Sequence, residues 1–136
     1  RAFGNYMKFA KADIVMPEKP AVTRFDTIYF ELDKARLTKE GVQIAEKILS
    51  YMKSHPEVSA RIEGHCCDLH NEQYNLTLGQ RRADAVKKYL TERGIEPSRI
   101  DTVSFGESQR VTTDPKQRHL NRRAEVYATV TFTTKP

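Results

Sequence analysis

The sequence contains no apolar run near the ~18 residues that a helix needs to cross a bilayer, so no transmembrane helix is legible in it. It has no cysteine outside one adjacent pair, Cys66 and Cys67. Neighbouring cysteines cannot staple distant parts of a fold, and a disulfide between them would close a strained, easily reduced ring. A disulfide framework is excluded, and cysteine usage does not report on compartment. The stretch from Arg1 to Asp13 lacks the basic start and long apolar core of a secretory signal. There is no initiator Met, and the chain reads as a piece of a longer or processed protein. No internal repeat, basic block or nucleic-acid-binding motif appears. The net charge is +5 and the pI about 9.3, but Lys and Arg are interleaved with Asp and Glu. The plain reading is a solvated mixed-charge surface; an attraction to acidic lipid or an anionic wall polymer is the alternative.

What is present is ordinary for one soluble domain: 136 residues, 38% hydrophobic and 30% charged. Residues 1–24, with Pro17 and Pro20, show no clean period and are expected to form a linker or arm. Residues 25–136 carry the domain. "FDTIYFEL" (25–32) reads as a strand. Thr38 is a helix cap with Glu40 in the first turn, and Val42, Ala45, Ile48, Leu49 and Met52 recur at helical spacing until Pro56. "VSARIEGH" alternates as a half-buried strand. A second helix is expected from about Leu76 to Arg93, stopped by Gly94. "DTVSFG" is a short strand, followed by a long polar loop with room for one helical turn. "RAEVYATVTFT" places Ala124, Val126, Ala128, Val130 and Phe132 on one face. The order strand–helix–strand–helix–strand–strand predicts an α+β sandwich, with two helices on one face of a small mixed sheet.

One charge interrupts the apolar stripe of the second helix. Arg82 lies four residues from both Leu78 and Val86, whereas Arg81 is a quarter-turn away and solvated. A guanidinium facing the core must find acceptors. Two readings stay open: an internal salt bridge to Glu125, Asp33 or Glu63, or a carboxylate receptor at a pocket mouth.

The segment "GHCCDLH" (64–70) poses the second question. His65, Cys66, Cys67, Asp68 and His70 suit zinc by residue type, but adjacent residues in an extended chain point apart. A redox pair needs a lowered thiol pKa, for which the sequence gives no signal. A Cys67–His70 nucleophile and base lack a third group and an oxyanion hole. The remaining reading is an altered ligand pocket. No metal, cofactor or catalytic residue is assigned.

Several motifs, in order, resemble a known family. The run Tyr74, Asn75, Leu76, Leu78, Gly79, Arg81, Arg82, Ala83, Val86, Tyr89 and Leu90, then Gly94, Ile95, Arg99, Ile100, Gly106 and Glu107, then Asn121 to Arg123, is similar to the OmpA-like C-terminal domain, in its peptidoglycan-associated lipoprotein pattern. "YFELDKARL" matches that family's first strand and loop at Phe30, Asp33 and Lys34. The likeness spans about Phe25 to Thr133. It implies a non-catalytic periplasmic module, part of a larger outer-membrane-associated or lipid-anchored protein, that holds peptidoglycan non-covalently by the free end of the stem-peptide diamino acid. It further implies that Arg82 receives the carboxylate, that Asn75 braces the loop, that the backbone around Cys66 to Asp68 holds remaining polar atoms, and that Phe30 and Asp33 line the opposite wall.

The resemblance fails at one place. Where the family pattern has an aspartate for the ligand's ammonium, this chain has Cys67; where it has Gly, this chain has His70; Asp68 is one step late. A one-residue shift turns a side chain to the other side. Losing that anion removes a contact worth roughly 1.5–3 kcal/mol, about ten- to a hundredfold in affinity. The expectation is therefore weakened or altered wall binding. The alternative is a degenerate domain that serves as a structural or protein-interaction unit among other envelope proteins, with no nucleic acid and no membrane insertion.

Overall fold

The computed structural model describes residues 21–130. The elements are β1 (Ala21–Arg24), β2 (Ile28–Tyr29), α1 (Lys39–Ser54), β3 (Val58–His65), α2 (Glu72–Thr91), β4 (Ile100–Gly106) and β5 (Arg123–Val130), with short 3-10 helices at Pro97–Arg99 and Pro115–Asn121. In the sheet β5 lies between β1/β2 and β3, and β4 forms the far edge beyond β3. β3 and β4 run parallel and every other pairing is antiparallel. The fold is the expected α+β arrangement, with the core between one sheet face and both helices.

Most elements follow from local signals. The Thr38 side chain accepts from the Gly41 amide at 3.0 Å, and Ala45, Ile48, Leu49 and Met52 form the buried stripe of α1. β5 buries Ala124, Val126 and Ala128 as its alternation demands; Phe132, expected on that face, lies outside the described residues.

Three expectations need correction. Ala21–Arg24, assigned above to the arm, is an edge strand paired with Val130 to Tyr127 of β5. Its Pro-rich flank hid the short apolar–polar alternation. The strand read over 25–32 is reduced to Ile28–Tyr29, because the register against β5 slips by one residue between Arg24↔Tyr127 and Ile28↔Ala124. Helix α2 begins at Glu72, four residues earlier than its apolar period suggested. Asn71 is its cap, its side chain accepting from the Tyr74 amide at 2.7 Å, and the helix ends at Thr91 before Gly94, whose φ is +108°.

Two glycines set how closely α2 lies on the sheet. A Cβ on Gly64 would overlap the carbonyl oxygen of Gly79, and one on Gly79 would strike the Ser104 hydroxyl and sit 3.0 Å from the Gly64 carbonyl oxygen. Backbone thus rests on backbone, and Arg82, three residues beyond Gly79, is carried beneath the end of β3. Gly64→Ala is expected to push helix and strand apart and to cost roughly 1–3 kcal/mol, as overpacking does. Urea unfolding measures this, and an unchanged midpoint contradicts the contact.

Candidate functional site

Arg82 is fully buried. Its Nε donates to the Lys34 carbonyl at 2.8 Å, Nη2 to the Glu31 carbonyl at 3.1 Å, and Nη1 to the His65 carbonyl at 3.0 Å. Nη1 also lies 3.5 Å from Cys66 Sγ, and the guanidinium carbon is 5.3 Å from the centre of the Phe30 ring. Burial lowers its pKa, yet an arginine stays cationic under these conditions. The internal salt bridge expected from the sequence does not form. Among the described residues no carboxylate forms an ion pair with it. Glu63 and Glu125, two of the proposed partners, face the other side of the sheet, and Asp33 is engaged elsewhere. Nor does the side chain reach solvent. The guanidinium is instead a clamp: its fork joins the turn 31–34 to the end of β3 through three backbone carbonyls.

The clamp presents Asp33. The turn closes with the Lys34 amide donating to the Glu31 carbonyl at 3.1 Å, and both of those residues' carbonyls rest on Arg82. Asp33 sits at φ +56°, a left-handed conformation that Asp tolerates better than most residues. Its carboxylate projects across to the second loop. There His70 Nε2 donates to Asp33 Oδ1 at 2.7 Å, and the Tyr74 hydroxyl lies 3.5 Å from the same oxygen.

The five candidate donors of "GHCCDLH" diverge. The His65 ring turns to the opposite sheet face, stacked on Phe105. Cys66 is buried and donates its thiol to the Asn75 carbonyl at 3.1 Å. Burial pushes that thiol up to about 11, against the pull of Arg82, so it is not a thiolate at neutral pH. Cys67 is buried as well. Asp68 turns to the third loop, accepting from Arg110 Nη1 at 2.7 Å and Arg118 Nε at 2.9 Å. The Arg118 hydrogen bond foremost, with the charges of Arg118 and Arg110, holds its carboxyl below the ordinary carboxylate range. His70 goes to Asp33. No one ion could reach all five.

Two buried asparagines brace the loops. Asn75 Nδ2 donates to the His70 carbonyl at 2.9 Å and to Glu107 Oε1 at 2.7 Å. Asn121 Oδ1 accepts from the Val111 amide at 2.8 Å, and its Nδ2 donates to the Thr112 carbonyl at 3.0 Å. Arg122 Nε donates to the Phe30 carbonyl at 3.0 Å, tying the third loop to the first. The residue pattern flagged Asn121 and Arg122 but gave no role to either. Beside the site a cavity of about 560 Å³ is lined by Glu72, Leu76, Ser104, Phe105, Glu107 and Arg110, and a second, of about 330 Å³, lies beyond Phe30 and Glu31; Arg82 lines neither.

Behind the clamp, the far sheet face carries a polar cluster that the strand alternation placed outward without joining. Glu63 and Glu125 are register partners, as are His65 and Arg123. Arg123 Nε donates to Glu125 Oε2 at 2.5 Å and the Tyr127 hydroxyl to Glu125 Oε1 at 2.6 Å. His65 Nε2 is 3.3 Å from Glu63 Oε1, which assigns the proton of the neutral ring to Nε2. Burial, helped by Arg123, holds the His65 imidazole down at about 4. Among the described residues its Nδ1 has no hydrogen-bond partner.

The His65 shift has a consequence for stability. At pH 7 the ring is neutral folded or unfolded. Between about 6.5 and 4 the unfolded chain takes up the proton first, so acidification favours unfolding; below about 4 both states are charged and no further loss follows. We expect the wild type to lose roughly 2–3 kcal/mol more than His65→Gln between pH 7 and pH 4.5. Urea unfolding at both pH values measures it; parallel losses in the two proteins would contradict the buried neutral ring.

The elements thus form a two-helix, mixed-sheet sandwich with loops gathered over one buried arginine. The OmpA family profile matches residues 29–124, and the chain belongs to that family. It is 41% identical over 86 residues to the peptidoglycan-associated lipoprotein of Haemophilus influenzae, 63% of this chain and 56% of that protein. It is 32% identical over 113 residues to the protein of the same name from Pseudomonas putida, 82% of this chain and 68% of that one. The chain thus spans little more than half the length of the first relative. The crystal structure of the peptidoglycan-associated lipoprotein from Burkholderia pseudomallei superimposes with a TM-score of 0.70 at 29% identity, over 75% of this chain and 88% of that one. No helix among the described residues is long and apolar enough to cross a membrane.

Proposed function

We propose that this domain binds peptidoglycan non-covalently and without catalysis, in the periplasm, as part of a larger outer-membrane-associated or lipid-anchored protein. The ligand is the free end of the stem-peptide diamino acid. Family membership and the names of the relatives support this reading. The observation that carries it is the state of Arg82: a buried cation, neutralised by no carboxylate among the described residues, under two loops that converge on Asp33. A buried charge is weakly screened, so the surface above it favours an anion. The ligand's carboxylate sits over this field, and its ammonium lies between Asp33 and the second loop at Cys67, where the family pattern has an aspartate. Arg82 acts chiefly by holding the two loops in place.

A second reading, a degenerate domain that interacts with other envelope proteins, is favoured by one specific feature. Both aspartates of the region are already engaged, Asp33 by His70 and Asp68 by Arg110 and Arg118. Co-sedimentation with purified sacculi separates the two. Arg82→Ala is a poor probe, because it strands three carbonyls and unfolding would mimic lost binding. Cys67→Asp restores an anion at the place where the family pattern has one. It is expected to raise affinity for a diaminopimelate-containing stem peptide roughly ten- to a hundredfold. Wild-type co-sedimentation together with this gain supports wall binding. No sedimentation by either protein supports the second reading.

A further inference from the structure

We propose that His70 is an intramolecular competitor for the ligand's ammonium: it occupies Asp33 in the free protein, and the incoming ammonium must displace it. The inference rests on the wall-binding reading above and assigns the ammonium to Asp33.

The geometry is specific to this chain. His70 stands in the second loop where the family pattern has Gly, which has no side chain to reach across. Here the ring bridges the mouth to a carboxylate 37 residues away in sequence, at 2.7 Å. Both ends of the bridge are held. Asp33 is fixed by the Arg82 clamp beneath its turn, and the His70 backbone by Asn75, which donates to its carbonyl at 2.9 Å. The Tyr74 ring packs on the imidazole with centroids 4.2 Å apart. Asp33 and His70 nonetheless remain partly exposed, at 43% and 39% of their side-chain surface, so a solvent-borne cation can reach the acid and the ring has room to leave.

A neutral imidazole offers Asp33 one ordinary hydrogen bond. An ammonium offers a charge-assisted one, about twice as strong. The ligand can therefore displace the ring, but breaking the bridge subtracts part of its contact energy with Asp33. The other groups that bear on the ring do not reproduce this effect. Asp68 is tied to Arg110 and Arg118, Glu107 to Asn75, and Arg82 lies below the turn. Of the remaining three histidines, His55 bonds the Tyr51 carbonyl at the end of α1, His65 faces the other sheet face, and His119 lines the hollow beyond Phe30.

The test is calorimetric titration of a soluble stem tripeptide ending in diaminopimelate at pH 7. Wild type, His70→Ala and, as a control, His119→Asn are compared. His70→Ala is expected to bind about five- to tenfold more tightly than wild type, and His119→Asn within about twofold of it. Equal or weaker binding by His70→Ala, or the same gain in His119→Asn, overturns the competition while leaving wall binding intact. If no variant binds the peptide, the wall-binding reading falls and this inference falls with it.

Discussion

A single guanidinium sets the geometry of everything around the mouth. Arg82 has a rigid fork of donors, and the fold spends them on backbone carbonyls from two segments far apart in sequence, Glu31 and Lys34 on one side and His65 on the other. Carbonyl oxygens satisfy the hydrogen bonds but leave the charge uncompensated. That combination is unusual inside a protein, where buried charges are normally paired. It fixes the loops and leaves a net positive field beneath them.

The rest of the molecule can be read as support for that clamp. The Gly64–Gly79 contact brings α2 close enough for the side chain to pass under β3. Phe30 provides the ring beneath the cation, and Arg122 holds the Phe30 carbonyl from the third loop. Asn75 and Asn121 bond backbone groups of the second and third loops and hold them in place. On the opposite face, the neutral His65 ring closes the sheet where its carbonyl meets the clamp. The exposed pair Asp33–His70 is the outermost layer of this stack.

Much of the scaffold was legible in the sequence, for local reasons. The β5 alternation, the Thr38 cap and the period of α1 each depend on neighbours within a few residues. Other local signals are masked. Proline flanks the edge strand Ala21–Arg24, and the Asn71 cap of α2 lies a full turn ahead of the helix's apolar period. Arg82 stood out because a charge broke an apolar stripe, but its partners could not be read. Any residue supplies a carbonyl, so no side-chain pattern marks Glu31, Lys34 or His65 as acceptors. The Asp33–His70 bridge joins positions with no periodic relation. The Glu63, His65, Arg123 and Glu125 cluster needed the strand pairing before its members could be seen as one group.

The proposed docking surface rests on the clamp that Arg82 makes between two loops. Side-chain nitrogen NMR of the arginines, recorded with and without a diaminopimelate stem peptide, addresses it most directly. The account predicts an Arg82 Nε proton that exchanges slowly with water in the free protein, and that shifts when peptide is added, together with the amides of Asp33, Lys34 and Cys66 to His70. A rapidly exchanging Arg82 proton, or peptide-induced shifts confined to the far sheet face, would contradict it.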